Sequence, residues 1–310
     1  MVIFFIFIII GFVLLCKGAD ILIDGASSIG KKLRISEMII GLTIVSLGTS
    51  LPELIISLNS AVNGVSDISI GNIIGSCICN FLLVLGITSI VKKIVIDNTS
   101  MKISLPFAFL STILLLIFGN IDNKISRVEG ILLVLFSVIF IINLWNINKN
   151  KKVILDENIE YNIPKSIFKI LLGIIALKFG GDFVVDNASN IARELKISET
   201  LIGLTIISIG TSLPELITGI IAARKGETDL ALGNVLGSNI FNILLVLGLV
   251  SIINPIPFSY EFNFSIIFLL LINLLVWWFY FWNEKNSISK YEGKILVLLY
   301  IGYISNLILA

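Results

Sequence analysis

Thirteen residues occur twice in this chain: GLTIVSLGTSLPE at Gly41–Glu53 and GLTIISIGTSLPE at Gly203–Glu215, differing only at Val45/Ile207 and Leu47/Ile209. Each copy sets a proline and a glutamate inside a long apolar run. A carboxylate deep in a membrane helix costs about 2.5–3.5 kcal/mol on insertion scales, and such residues face a bundle interior, a cavity or an ion path. Two carboxylates in matching positions demand a fold that gives both the same kind of shelter. The surroundings are apolar enough to make that cost real: 56% of the 310 residues are hydrophobic and 14% charged, with a mean hydropathy of +1.03. That composition excludes an ordinary soluble domain.

Apolar runs near 20 residues, each able to cross a hydrocarbon core about 30 Å thick, give ten expected spans: 2–23, 37–63, 68–91, 103–119, 126–147, 165–187, 199–224, 229–251, 262–283 and 288–309. The expected fold is an all-α integral membrane bundle of ten transmembrane helices. Residues 1–147 form a first five-helix repeat, the polar segment 148–164 a cytoplasmic linker, and 165–310 a second repeat. The halves align at a constant offset of 162, which places Asp20 on Asp182, Asp24 on Asp186, Ser76 on Ser238 and Asn80 on Asn242. Five spans is an odd number, so the second repeat inserts inverted relative to the first, with a binding site where the two meet near the midplane. Loop charges fix the orientation. With both termini outside, the inward loops carry fourteen Lys and Arg residues and the outward loops four (Lys124, Arg127, Arg193, Lys196), as the positive-inside bias requires. The run Val2–Leu15 lacks a positive leading region and reads as a retained first helix rather than a cleaved signal. A net charge of +1 suggests no nucleic-acid partner. The linker has no room for a large sensing module, and no obligate protein partner is evident.

Ser46, Thr49, Ser50 and Glu53 follow three- and four-residue steps and so share one helical face. Pro52 removes a backbone donor and clashes with the carbonyl of Gly48, which predicts a locally opened helix with freed carbonyls. Ser208, Thr211, Ser212, Pro214 and Glu215 repeat the arrangement. In the next span Asn72, Ser76 and Asn80 recur at four-residue steps, matched by Asn234, Ser238 and Asn242. Asp67 and Asp229 take cap-like positions before these helices, and Gly71-x-x-x-Gly75 and Gly233-x-x-x-Gly237 permit close helix approach. The donors are hard oxygens throughout: two carboxylates, hydroxyls, amide oxygens and carbonyls. Ca²⁺ takes six to eight such ligands at about 2.3–2.6 Å and Na⁺ accepts the same set, whereas soft metals want thiolate or imidazole. The chain has no histidine. Cys77-x-Cys79 faces Asn239 and Phe241 in the repeat and reads as buried filler.

The doubled GTSLPE, followed by GNIIGSCICN (Gly71–Asn80) and GNVLGSNIFN (Gly233–Asn242), resembles the α-repeats of the sodium/calcium exchangers within the calcium/cation antiporter superfamily. The likeness covers essentially the whole chain. It implies Glu53 and Glu215 as the central Ca²⁺ ligands, with Thr49 and Thr211 contributing mainly carbonyls. Ser50, Ser76, Ser212 and Ser238 would complete flanking Na⁺ sites, aided by the carbonyls of Ser46 and Ser208. It also implies that spans one and six slide as a gate across the other eight. Two departures stand out: archaeal members carry alanine at the positions of Ser46 and Ser208, and aspartate at that of Asn242. Asparagine at both Asn80 and Asn242 also occurs among H⁺/Ca²⁺ members of the superfamily, which leaves a proton as the alternative coupling ion. Two protons on the glutamates would make exchange electroneutral, and more than two Na⁺ would make it sense voltage at about 2.3 kcal/mol per charge per 100 mV. The hydroxyls at 50, 76, 212 and 238 serve Na⁺ and are superfluous to a proton, so Na⁺ is the expected partner of Ca²⁺, and no cofactor is expected.

Plainer readings accompany these. Asn72 and Asn234 read as packing amides, and Asn80 and Asn242 as either packing groups or ligands. Asp20, Asp24, Asp182 and Asp186 read as solvated or vestibular, and the aromatic run Trp277–Trp282 as an interfacial belt. A cation channel would call for a continuous pore, commonly through a symmetric oligomer. An intramembrane hydrolase would need a base that GTSLPE lacks.

Overall fold

A computed structural model describes residues 2–63, 67–96, 100–148, 162–197, 206, 208–282 and 286–309. The helices are α1 (Val2–Leu33), α2 (Glu37–Thr49), α3 (Leu51–Val62), α4 (67–91), α5 (Leu105–Ile121), α6 (Arg127–Asn148), α7 (Ile163–Glu194), α8 (Ser208–Thr211), α9 (Leu213–Lys225), α10 (Thr228–Ile253), α11 (Phe262–Trp282) and α12 (Lys290–Leu309). Among the described residues six helices are long and apolar enough to cross a membrane, and seven if the bent pair α2–α3 is one span. The other expected spans differ from that pattern for visible reasons. The 32-residue α7 carries Lys165, Lys169, Lys178, Asp182 and Asp186 along its length, and α12 opens on Lys290, Glu292 and Lys294. The span expected at 199–224 begins outside the described residues, and α8 and α9 continue it.

Two expected boundaries move. The first helix runs ten residues past 23, because Asp20 and Asp24 find lysine partners and Ser27 donates to Glu227 at 2.8 Å, so the polar half of α1 is satisfied as helix. The second half starts at Ile163, where Asn162 caps α7 by accepting from the Lys165 backbone N–H at 3.0 Å and Pro164 occupies the first turn. Asp229 lies inside the first turn of α10, with Glu227 at the N-cap position, rather than capping it.

α1 and α7 lie antiparallel along their lengths. A Cβ on Gly11 would meet the Gly180 carbonyl oxygen at 2.8 Å, and one on Gly180 would meet that of Gly11 at 2.8 Å. Gly18 and Gly173 oppose each other in the same reciprocal way, at 3.0 and 2.8 Å, and Gly25 meets the Ser166 carbonyl at 2.8 Å. The backbones touch where only glycine fits, as in small-residue membrane interfaces. This pair has its own buried cluster (Leu15, Leu22, Leu177) shared with Val45 of α2 and Ala222 of α9. A separate core, including Ile73, Leu82, Leu236 and Leu247, holds α4 and α10 among the remaining helices.

The close approach expected of the glycine pairs holds in α10. A Cβ on Gly233 would lie 2.5 Å from the Met38 carbonyl oxygen, and one on Gly237 2.6 Å from that of Leu42. At Gly71 the nearest described atom is a Phe262 ring carbon at 3.7 Å; the residues that the repeat would set against Gly71 lie outside the described ones. Two short antiparallel ribbons, which no periodicity announced, each join one half to the other: β1 (Ile94–Val95) with β4 (Ser287–Ile288), and β2 (Lys124–Ile125) with β3 (Ile256–Pro257).

Candidate cation site between the broken helices

The helix fails at the same residue in both copies. Ser50 has φ −82° and ψ 6°, and Ser212 φ −90° and ψ 4°; each is followed by a helix with proline in its first turn. Proline cannot supply the donor that would carry the ladder through, and between α2 and α3 the axis turns by 46°. Two π turns lie opposite, at Asn80–Val84 in α4 and Asn242–Leu247 in α10. Each begins on the asparagine expected to reach the site. Such turns, which free backbone groups and recur at functional sites, leave no mark in hydrophobic spacing.

Glu53 and Glu215 are both fully buried. Ser50 of the first copy donates its hydroxyl to Glu215 Oε1 of the second at 3.3 Å, and Ser76 of α4 donates to Glu53 Oε1 at 3.2 Å. The other carboxylate oxygen of each, Glu53 Oε2 and Glu215 Oε2, is buried with no hydrogen-bond partner. Thr49 Oγ1 donates to Asn234 Oδ1 at 3.1 Å and lies 3.3 Å from the Ser46 carbonyl and 3.5 Å from Ser238 Oγ. Thus Thr49 meets Asn234 and Ser238, and Ser50 meets Glu215, across the two halves, while Ser76 meets Glu53 within the first. Among the described residues Ser212 Oγ, Asn80 Oδ1 and both amide atoms of Asn242 are buried without partners. Thr211 is buried as well. Ser46 is buried, but its hydroxyl donates back to the Thr43 carbonyl at 3.2 Å, and its own carbonyl accepts from the Ser50 backbone N–H at 3.0 Å. The side chain of Ser208 lies outside the described residues.

Burying polar oxygens without partners is costly, and here each of the two carboxylates carries one. Among the described residues no three His, Cys, Asp or Glu side chains converge as a metal cluster. A cation bound here is therefore held by two carboxylates and neutral oxygens, a donor set for Ca²⁺ or Na⁺.

A cavity of about 270 Å³ opens beside both breaks, lined by Pro52, Thr211 and Pro214 and by Asp182, Asp186 and Arg193 of α7. A second, apolar one of about 260 Å³ lies between Phe12 of α1 and Gly210. At the other end Lys225 Nζ grips Asp20 Oδ1 and Asp24 Oδ1, both at 2.6 Å, and Lys169 lies 3.7 Å from Asp24. Burial opposes the Lys225 charge, and the bonds and attraction of the two aspartates outweigh it, so its pKa lies above the ordinary lysine value. Asp182 and Asp186 are vestibular, as expected, and Asp20 and Asp24 are ion-paired.

Two participants escaped the sequence reading. Asn234, expected as a packing amide, accepts from Thr49. Asn239 bridges α10 to α4, and its only trace in the sequence is that it replaces a cysteine in the repeat.

The chain matches the family model for sodium/calcium exchanger proteins twice, over residues 3–146 and 165–309. It is 30% identical to the sodium/calcium exchanger MaX1 of Methanosarcina acetivorans over 97% of both chains. It is 34% identical to the inner membrane protein YrbG of Escherichia coli over 87% of both. A solved structure of the sodium-calcium exchanger NCX_Mj, soaked with Na⁺ and Sr²⁺, superposes with a TM-score of 0.85 at 32% identity, covering 98% of this chain and 99% of that one.

Proposed function

Because the chain belongs to the sodium/calcium exchanger family of membrane cation antiporters, we propose that it exchanges Ca²⁺ for Na⁺ by alternating access at the site between Glu53 and Glu215. The observation that carries this reading is the pair of fully buried carboxylates, one per half, each bonded at one oxygen and orphaned at the other. One Ca²⁺ neutralises both. The ligands are the two glutamates, the Thr49 and Thr211 carbonyls, the hydroxyls of Ser50, Ser76, Ser212 and Ser238, the carbonyls of Ser46 and Ser208, and the amide oxygens of Asn80 and Asn242. The hydroxyls complete flanking Na⁺ sites.

Ten spans in two inverted five-helix repeats, 1–147 and 165–310 about the linker 148–164, provide the machinery. The double match to the family model and the reciprocal contacts of α1 with α7 support this plan. Pairing Gly11 with Gly180 becomes, under the 162-residue repeat, the pairing of Gly173 with Gly18, so the α1–α7 pair is its own mirror image. Its setting is not. Gly48 packs against Ile174 of α7, 2.9 Å from a built Cβ, whereas the mirror residues Gly210 and Phe12 line the apolar cavity. A symmetric pair displaced as a unit toward one half is the geometry of a sliding gate. With both termini outside, the open cavity faces outward and the Lys225 contacts close the cytoplasmic path.

Proton-coupled Ca²⁺ exchange is the second reading, favoured by amides at both Asn80 and Asn242, which leave the site two carboxylates for two protons. Reconstituted protein decides between them. Na⁺ coupling predicts ⁴⁵Ca²⁺ uptake driven by an outwardly directed Na⁺ gradient at clamped voltage, and none from a pH gradient; the reverse result assigns the proton.

A further inference from the structure

We infer that Asn239 is a positioning residue that fixes the amide of Asn80 with its oxygen toward the cation site. This rests on the reading of Asn80 as a ligand of that site. Asn239 Nδ2 donates to the Cys77 backbone carbonyl at 3.3 Å, and Asn80 Nδ2 donates to Asn239 Oδ1 at 3.1 Å. Amide nitrogens and oxygens are told apart only through their hydrogen-bond network, and this network has a fixed end. A backbone carbonyl can only accept. Asn239 must therefore turn its nitrogen to Cys77 and its oxygen to Asn80, and Asn80 must turn its nitrogen to Asn239. The remaining atom, Asn80 Oδ1, is buried without a partner. It belongs to the face of α4 from which Ser76, one turn earlier, reaches Glu53. A carbonyl of the main chain thus dictates, through two amides, that an oxygen and not an N–H is offered to an incoming cation.

The other half contains the control. Cys77 occupies the position of Asn239 in the repeat, and its thiol aims at the Asn239 carbonyl at 3.8 Å, as the Asn239 amide aims at the Cys77 carbonyl. A thiol is too short and too weak to relay the constraint. Accordingly Asn242, the counterpart of Asn80, has neither amide atom bonded. One flanking amide is locked and its twin is free to turn.

Groups that hold a metal's ligands in place typically contribute 10–100-fold in affinity. Equilibrium ⁴⁵Ca²⁺ binding to the purified full-length protein, with Na⁺ competition on the same samples, tests the assignment through a double-mutant cycle. Asn239→Leu should weaken Ca²⁺ binding or Na⁺ competition about tenfold. In an Asn80→Ala background the same change should cost less than about twofold, because there is no amide left to orient. In an Asn242→Ala background the full loss should persist. Asn239→Ala serves in the same cycle if the leucine variant does not fold. An Asn239 variant that binds both ions like the parent overturns the proposal, as does an equal loss with and without Asn80, which would mark a packing role. Failure of the parent reading looks different: Glu53→Gln would then leave Ca²⁺ binding intact, whatever the Asn239 cycle gives.

Discussion

Gly48 and Gly210 hold the same place in two nearly identical sequences, yet one packs against Ile174 and the other against Val185, at positions that the repeat does not pair. A Cβ on Gly48 would touch Ile174, while Gly210 and Phe12, the mirror of that contact, line a cavity of about 260 Å³. The polar ends of α1 and α7 also differ. Asp20 and Asp24 of α1 are held by Lys225 from another helix. Asp182 and Asp186 of α7 border the open cavity, where Asp182 pairs with Lys178 of its own helix. The repeat counterpart of Lys225 is Asn63, which cannot form the mirror clamp. Like sequences in unlike surroundings are what the proposed alternating access calls for, with a second arrangement in which the opening lies on the other side of Glu53 and Glu215.

The largest expected effect is the one that ignores the asymmetry. Glu53→Gln and Glu215→Gln should each reduce ⁴⁵Ca²⁺ flux in proteoliposomes by at least about 100-fold, since removing one partner of a buried charged site costs about 3–5 kcal/mol. Unequal losses would mean that only one half supplies the central ligand. Next is the α1–α7 seam. Gly18→Val places side-chain atoms where Leu177 N and the Gly173 carbonyl stand 2.9–3.0 Å from a Cβ. Overpacking of this kind costs about 1–3 kcal/mol, and melting together with transport should both fall.

Lys225→Met is expected to act on the distribution between the two arrangements. Its partners are part-exposed, and such ion pairs are worth about 0.2–1 kcal/mol. Release of the clamp should raise labelling of a cysteine placed at Ser27 from the side that Lys225 faces by up to about fivefold. Unchanged labelling would show that the glycine seam alone keeps that side shut. The smallest effect belongs to Lys178→Met. Its bond to Asp182 is an i,i+4 contact within one helix, worth about 0.2–0.5 kcal/mol, so labelling from either side should shift less than twofold.

The sequence makes the two breaks and the buried glutamates legible because both are local: proline four residues after a glycine, and serine, threonine and glutamate on one helical face. Ser50 and Ser76 reach the carboxylates as that spacing demands. What joins remote positions is not written in periodicity. Lys225, an ordinary loop charge by composition, spans about 200 residues to Asp24. The ribbons at Ile94 and Lys124 pair with segments of the other half. The π turns at Asn80 and Asn242 depend on packing rather than propensity. Asn239 was visible only as a mismatch in the repeat, and its role needed the Cys77 carbonyl to be located. The length of α1 was underestimated because Asp20 and Asp24 read as an ending before their lysines were known.

One divalent cation between two glutamates, one from each half, is the site proposed for this chain. Ca²⁺ binding stoichiometry on the purified protein tests it most directly. One Ca²⁺ per chain is expected, displaced by Na⁺, and none in either Glu53→Gln or Glu215→Gln. Two Ca²⁺ per chain, or parental affinity retained in either variant, would contradict it.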